Sequence, residues 1–255
     1  MLNLRLFTEW AHFNLLENDA ARNYLFSRGV SEEQIIRHRF GYISNPYNVD
    51  FKDDVNHNDL CKSDKKVKWC DSCRFIYWSK DRDYNICGRL VNNIVFPLNS
   101  YSGVTVGIQT CSLTEKAYDT FAIKYRPEGY LFGASANLDK IWSNHEIWIT
   151  EGIFDQLVTE RLVASNTVAL TTSSITSLQV RFLRRFVSDV VLVLDNDKAG
   201  IDGSNQFIKY NDKYFNITKV KLPNVKDPND FWKTVGDQKF KQFFEKEVLW
   251  KKKPL

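Results

Sequence analysis

The sequence contains no run of about 18 apolar residues, so nothing in it reads as a membrane-spanning helix. Its opening, MLNLRLFTEWAHF, carries acid and aromatics and has no long apolar centre leading to a small-residue cleavage site, which argues against a secretory signal. An intracellular, cytoplasmic protein is therefore expected. Cysteine is scarce, five in 255 residues. In a reducing compartment these are thiols or metal ligands rather than disulfides. No phosphate-binding GxxxxGK[ST] loop occurs, which argues against a nucleotide-driven motor. Internal repeats and low-complexity linkers are missing as well. The formal charge is only +4, so charge alone does not mark a nucleic-acid protein.

What is present is apolar enough for a core, with 43% hydrophobic residues. Residues 17–28 place apolar side chains at helical spacing and stop at Gly29. Ser31-Glu-Glu-Gln34 reads as a capping box opening a second short helix. Residues 44–88 are polar and weakly periodic, an irregular insertion in which Lys and Arg alternate with Trp69, Phe75, Tyr77, Trp78 and Tyr84. Such mixing suits a single nucleic-acid strand, with phosphates on the charges and bases on the rings; a solvated insertion is the plainer reading. The segment holds Cys61, Cys70, Cys73 and Cys87. Cys70-x2-Cys73 is half of a zinc knuckle, and Cys61, Cys87 or His57 would complete a tetrahedral Zn2+ site. Two strand-like runs, 92–98 and 104–110, flank the turn 99–103 and predict a hairpin.

From residue 144 the pattern alternates. HEIWIT, TVALTT, DVVLVLD and ITKVKLP read as strands, separated by helical stretches of about a dozen residues. This predicts parallel βαβ units, with strands apolar throughout because both sheet faces are covered. Ligands of such sheets sit beyond the carboxyl ends of the strands. Glu151, Asp195, Asp197 and Asp227 all fall there, and Asp155 lies one helical turn past Glu151. Each alone reads as a helix cap or a solvated strand end. Together, on three successive strand ends, they form a set. Two carboxylates at 4 Å repel by about 4 kcal/mol at an effective dielectric near 20. A shared proton or a cation relieves that, and a few hard oxygen ligands suit Mg2+ or Mn2+.

EGIFD (151–155), VLDNDKAG (193–200) and VKDPNDF (225–231) resemble, in order, the three acidic blocks of the Toprim fold, and more narrowly those of the polymerase domain of bacterial and phage-type DNA primases. Residues 20–43, 89–110 and 124–133 resemble the upstream part of that domain. The resemblance implies an α/β protein with a Toprim-like, mostly parallel sheet flanked by helices (144–232), a smaller α+β subdomain before it (1–143) and a C-terminal helix after it (233–255). It implies a primase-type DNA-directed RNA polymerase, making RNA primers from ribonucleoside triphosphates on a single-stranded DNA template, with a replicative helicase in trans. Glu151, Asp195 and Asp197 would be catalytic. Glu151, Asp155, Asp195, Asp197 and Asp227 would hold Mg2+ or Mn2+. Arg89, Lys124, Arg126 and Lys198 would contact template or nucleotide phosphates. Asn229 departs from the family's Asp-Pro-Asp block, Cys111 stands where arginine is common, and the separate zinc module that precedes the domain in bacterial primases is not seen here. A Toprim nuclease and a non-catalytic single-strand-binding module are the alternatives.

Overall fold

The computed structural model describes residues 4–44, 76–78, 84–86, 90–114, 117–122, 130–172 and 174–249. The chain divides into two compact units. One takes in residues 1–24, 35–98 and 105–126; the other takes in 25–34, 99–104 and 127–255.

The first unit begins with a helix the sequence reading did not anticipate, α1 (Leu4–Leu16). Phe7, Ala11 and Leu15, each four residues apart, are fully buried and form its inner stripe. α2 (Asp19–Ser27) and α3 (Glu32–His38) follow, with residues 25–34 counted in the second unit. Asn18 Oδ1 accepts the Ala21 amide and caps α2. Gly29, at φ +82°, ends it, with the Val30 amide bonded back to the Leu25 carbonyl in a left-handed cap. The expected capping box of α3 is present: Ser31 Oγ accepts the Gln34 amide and Gln34 Oε1 accepts that of Ser31.

The remaining strands up to residue 122 are β1 (Gly41–Tyr42), β2 (Ile76–Trp78), β3 (Tyr84–Ile86), β4 (Asn93–Asn99), β5 (Thr105–Ser112) and β6 (Tyr118–Ala122). Strands β1, β4, β5 and β6 form one sheet in that order, and β2 pairs with β3. Strands β4 and β5 are the anticipated hairpin; Ser100 N donates to Val104 O across its turn. β1 runs close under α1: a Cβ on Gly41 would lie 2.5 Å from that of Ala11. Buried His12 donates from Nδ1 to Phe40 O at 2.7 Å. Buried Cys111 sits in β5 beside the Tyr24 hydroxyl.

The second unit carries the alternating part. After α4 (Leu138–Asn144) come β7 (Glu146–Thr150), α5 (Ile153–Leu162), β8 (Thr167–Ala169), α6 (Ser177–Leu183), β9 (Asp189–Val193), α7 (Lys198–Asn211), β10 (Asn216–Lys219) and α8 (Pro228–Phe244). The sheet order is β10-β9-β7-β8, and every pairing in it is parallel. Side chains alternate between faces. Ile147, Ile149, Val190 and Leu192 point to a core shared with Ile141, Leu183 and Phe207, so α4, α6 and α7 cover that face. Trp148, Val191 and Val193 point to the other, shared with Val158, Phe231 and Phe240, so α5 and α8 cover it. At about 25 cal/mol per Å2, burying one such side chain contributes about 1.5–3 kcal/mol. α8 is interrupted at Gly236 (φ +77°) and ends in a π turn, Glu245–Leu249. Among the described residues, no helix is long and apolar enough to cross a membrane.

Candidate active site

Register puts the acids at one end of this sheet. Strands β7 and β9 pair from Glu146↔Asp189 to Thr150↔Val193, so Glu151 and the turn 194–197 leave adjacent strands at the same level. Asp197 is the N-cap of α7, accepting the Gly200 amide at 3.0 Å. Asp227 is the N-cap of α8, accepting the Asp230 amide at 2.7 Å. Asp155 lies in the first turn of α5 and is buried. Two glycines make these approaches feasible. A Cβ on Gly200 would sit 2.3 Å from the Asp195 carbonyl oxygen, and one on Gly152 2.5 Å from Asp155 Oδ2.

The acids feel one another. Burial pushes Glu151 up to about 7, and the negative charges of Asp195 and Asp197 add to it. Asp155 is held well above the usual carboxylate range, by burial first and then by the charge of Asp227, against the opposing hydrogen bond from the Asn229 amide. Asp195 is also raised: its burial outweighs the Lys226 ammonium beside it. Asp197 goes the other way, lowered chiefly by the bond from Gly200. An exposed cap and three crowded carboxyl groups thus share one strand-end crevice.

Lys226 was not among the residues picked from the sequence. Its Nζ lies 3.3 Å from Asp195 Oδ2 and 3.4 Å from Asp197 Oδ2. These bonds, Asp195 first, push it up to about 12. The loop that carries it is held by Asn196, between the two aspartates. Asn196 donates from its backbone to Lys226 O at 2.7 Å and from Nδ2 to Leu222 O and Val225 O at 2.9 and 2.8 Å. A lysine directly before Asp227-Pro228 was the signal available in the sequence.

Asn229, which departs from the family's acidic block, is 1% exposed and tied into the fold. Its Nδ2 donates to Arg28 O at 2.8 Å and its Oδ1 accepts from Arg28 Nε at 3.0 Å. The Arg28 guanidinium lies 4.0 Å over the Phe154 ring. An amide satisfies both a donor and an acceptor there, which a carboxylate does not.

Among the described residues no three acid, histidine or cysteine side chains are already drawn into a metal cage. The fit to a cation is tested by two oxygens. Glu151 Oε2 and Asp195 Oδ1 are buried and have no hydrogen-bond partner among the described residues. Bare buried carboxylate oxygens, with Lys226 as the nearby positive charge, are what a hard divalent ion would complete. Lys198 is exposed at the first turn of α7. Arg89, Lys124, Arg126, Cys61, Cys70, Cys73, Cys87 and His57 lie outside the described residues.

Residues 148–232 match the Toprim-like family model. This stretch is similar to a Toprim-like domain. The fold around it is that of a bacterial primase catalytic core: the chain overlays the zinc-binding and RNA polymerase domains of Aquifex aeolicus primase with a TM-score of 0.74 at 20% identity, covering 96% of this chain and 60% of that one. A DnaG primase catalytic domain bound to single-stranded DNA gives a TM-score of 0.74 at 19% identity, over 94% of this chain and 78% of the other. In sequence, the chain is 25% identical over 246 residues to a DNA primase of Clostridium acetobutylicum, across 92% of this chain and 39% of that protein. It spans under half the length of the curated relatives it matches. The match to the Toprim-like domain takes in Glu151, Asp155, Asp195, Asp197 and Asp227, together with Asn196 and Lys226.

Proposed function

We propose that this chain is the polymerase domain of a DNA primase, an enzyme that builds short RNA primers on single-stranded DNA from ribonucleoside triphosphates. The observation that carries the reading is the pair of bare buried oxygens, Glu151 Oε2 and Asp195 Oδ1, at the ends of paired strands in a Toprim-like domain. The likeness to primases across more than nine-tenths of the chain supports it over a nuclease, because the likeness extends well upstream of the acids.

Asp195 and Glu151 would hold Mg2+ or Mn2+, with Asp197 at the rim and Asp155 and Asp227 behind. Such an ion supplies charge neutralisation at the transferring phosphate and a more acidic hydroxyl. The chain's own groups do the rest. Without a cation Glu151 is raised to about 7, so it would release its proton when an ion is held at Oε2. Asn196 fixes the spacing of the two aspartates it separates by anchoring their turn to the 222–226 loop. Lys226 balances both carboxylates and is close enough to meet a triphosphate that approaches them. Lys198, Arg89, Lys124 and Arg126 are the proposed template and nucleotide contacts. Cytoplasmic location, a helicase acting in trans and a Zn2+ site at Cys61, Cys70, Cys73 and Cys87 belong to the same proposal.

The test is primer synthesis. The protein is incubated with single-stranded DNA, labelled ribonucleotides and Mg2+ or Mn2+. Short labelled products that disappear in Asp195→Ala support the reading; shortened DNA supports a nuclease, and binding without either product supports a binding module.

A further inference from the structure

We propose that the groove between α6 and α7 binds the sugar-phosphate chain of a single-stranded nucleic acid, as an extension of the acidic crevice. This rests on the primase reading for the direction of the strand, not for the chemistry of the groove.

The groove encloses about 600 Å3 and is lined by Ser174, Arg181, Arg184, Gln206, Tyr210 and Asn211 among others. That is the size range of sites that take a nucleotide-sized ligand. Among the described residues no aspartate or glutamate lines it. Arg181 and Arg184 are exposed, and neither has a carboxylate partner among the described residues. The acids Asp202 and Asp212 lie on or at the end of α7 but do not line the groove. Two guanidiniums on one wall, with no counter-charge among the described residues, make an anion receptor, and their planar donors suit phosphate oxygens. The Arg184 guanidinium is held 3.7 Å over the ring of Tyr214, which fixes its plane.

The opposite wall supplies what a nucleic acid adds to phosphate. Tyr210 lines the groove with 58% of its surface exposed, an open ring on which a base can stack. Gln206 adds an amide on this wall, and Ser174 and Ser177 add hydroxyls on the arginine side. An acidic peptide would use the arginines but has no call on the open ring.

Two of its lining residues follow closely in sequence on the acidic crevice. Gly203, on its lining, is six residues past Asp197, about 9 Å along α7. At its other end, Ser174 follows closely on Thr171, whose amide donates to the Glu151 carbonyl at 2.9 Å.

The experiment is a salt titration. A fluorescent oligo-thymidine of about 12 nucleotides is bound to the full chain and to an Arg181→Gln/Arg184→Gln variant across a range of salt. Losing two phosphate contacts should weaken binding about 10-fold at low salt and reduce the slope of log K against log salt by about 1.4. Arg181→Lys/Arg184→Lys should restore most of the slope, and Tyr210→Ala should weaken binding about 5-fold or more with the slope unchanged. An unchanged slope with affinity within about 2-fold in the Gln variant would overturn the proposal. So would loss of ATP binding in that variant without any change for the oligonucleotide, which would make the groove a mononucleotide site. Primer synthesis by the unaltered protein is scored in parallel. Priming with no groove effect removes the groove alone; a groove effect without priming removes the primase reading and leaves the groove.

Discussion

The Lys226 ammonium stands between Asp195 and Asp197, 3.3 and 3.4 Å from an oxygen of each. One internal cation therefore spans two of the carboxylates grouped around the proposed divalent-ion site. The pair is part-exposed: Lys226 shows 57% of its side chain and Asp197 42%, while Asp195 shows 10%. Replacing Lys226 by Met should cost about 1–3 kcal/mol of metal-free stability, because Asp195 is largely buried and loses its charge partner. It should also tighten Mn2+ binding about 3- to 10-fold, because the metal no longer displaces a resident charge. A Mn2+ titration followed by calorimetry decides: equal or weaker affinity in Lys226→Met would mean the lysine does not compete for the oxygens.

A second prediction concerns pH. Glu151 is raised from 4.5 to about 7, chiefly by burial. The native state therefore holds this proton where the unfolded chain has released it. Its contribution to stability is full below about 4.5 and is lost as pH rises through 7. With Glu151 only half buried, the contribution is about 1–2 kcal/mol after discounting for solvent screening. Bound Mg2+ reverses the balance, since it favours the ionised form. The Mg2+-induced rise in melting temperature should grow between pH 6 and 8 in the unaltered protein and be nearly flat in Glu151→Gln. A pH-independent rise in the unaltered protein would remove Glu151 from the metal site.

The glycine in Asp-Asn-Asp-Lys-Ala-Gly gives a third. A methyl on Gly200 would sit 2.3 Å from the Asp195 carbonyl oxygen, a backbone atom that cannot swing aside. Gly200→Ala should push the Asp195–Asp197 turn off the start of α7. A loss of about 1–3 kcal/mol in urea unfolding is expected, with at least a 10-fold fall in primer synthesis. Near-normal activity would show that the turn tolerates displacement and that the acids need not be held closely.

How much of this could be read in advance follows from where the physics is local. Parallel strands β7, β8 and β9 were legible because burial on both faces writes continuous apolar runs such as Val190–Leu194; β10 departs from that expectation, an edge strand with no buried residue. The capping box at Ser31 and the stop at Gly29 are one-turn interactions, and they too could be read. Among the described residues, helix α1 carries its period in only three buried apolar positions, Phe7, Ala11 and Leu15, and no glycine closes it. The positions of the acids followed from strand ends. Their partners did not: Asn196 reaches loop residues 26 and 29 positions away, and Asn229 reaches Arg28 across 201. Pairings at that separation leave no local pattern.

Asn229 allows the last prediction. As a family departure it reads as a lost metal ligand, but its amide is spent on Arg28, donating to the carbonyl and accepting from Nε. A carboxylate at 229 keeps the acceptor and loses the donor, leaving the buried Arg28 carbonyl facing an oxygen. It also adds negative charge next to Asp155, which burial and Asp227 already hold in the protonated direction. Asn229→Asp should therefore destabilise the protein by about 1–2 kcal/mol in urea unfolding, and the loss should grow as pH rises and the new acid ionises. If a carboxylate at 229 were instead a missing metal ligand, the variant would bind Mn2+ more tightly and gain primer synthesis. A gain on both counts would assign position 229 to the metal site rather than to the Arg28 tie.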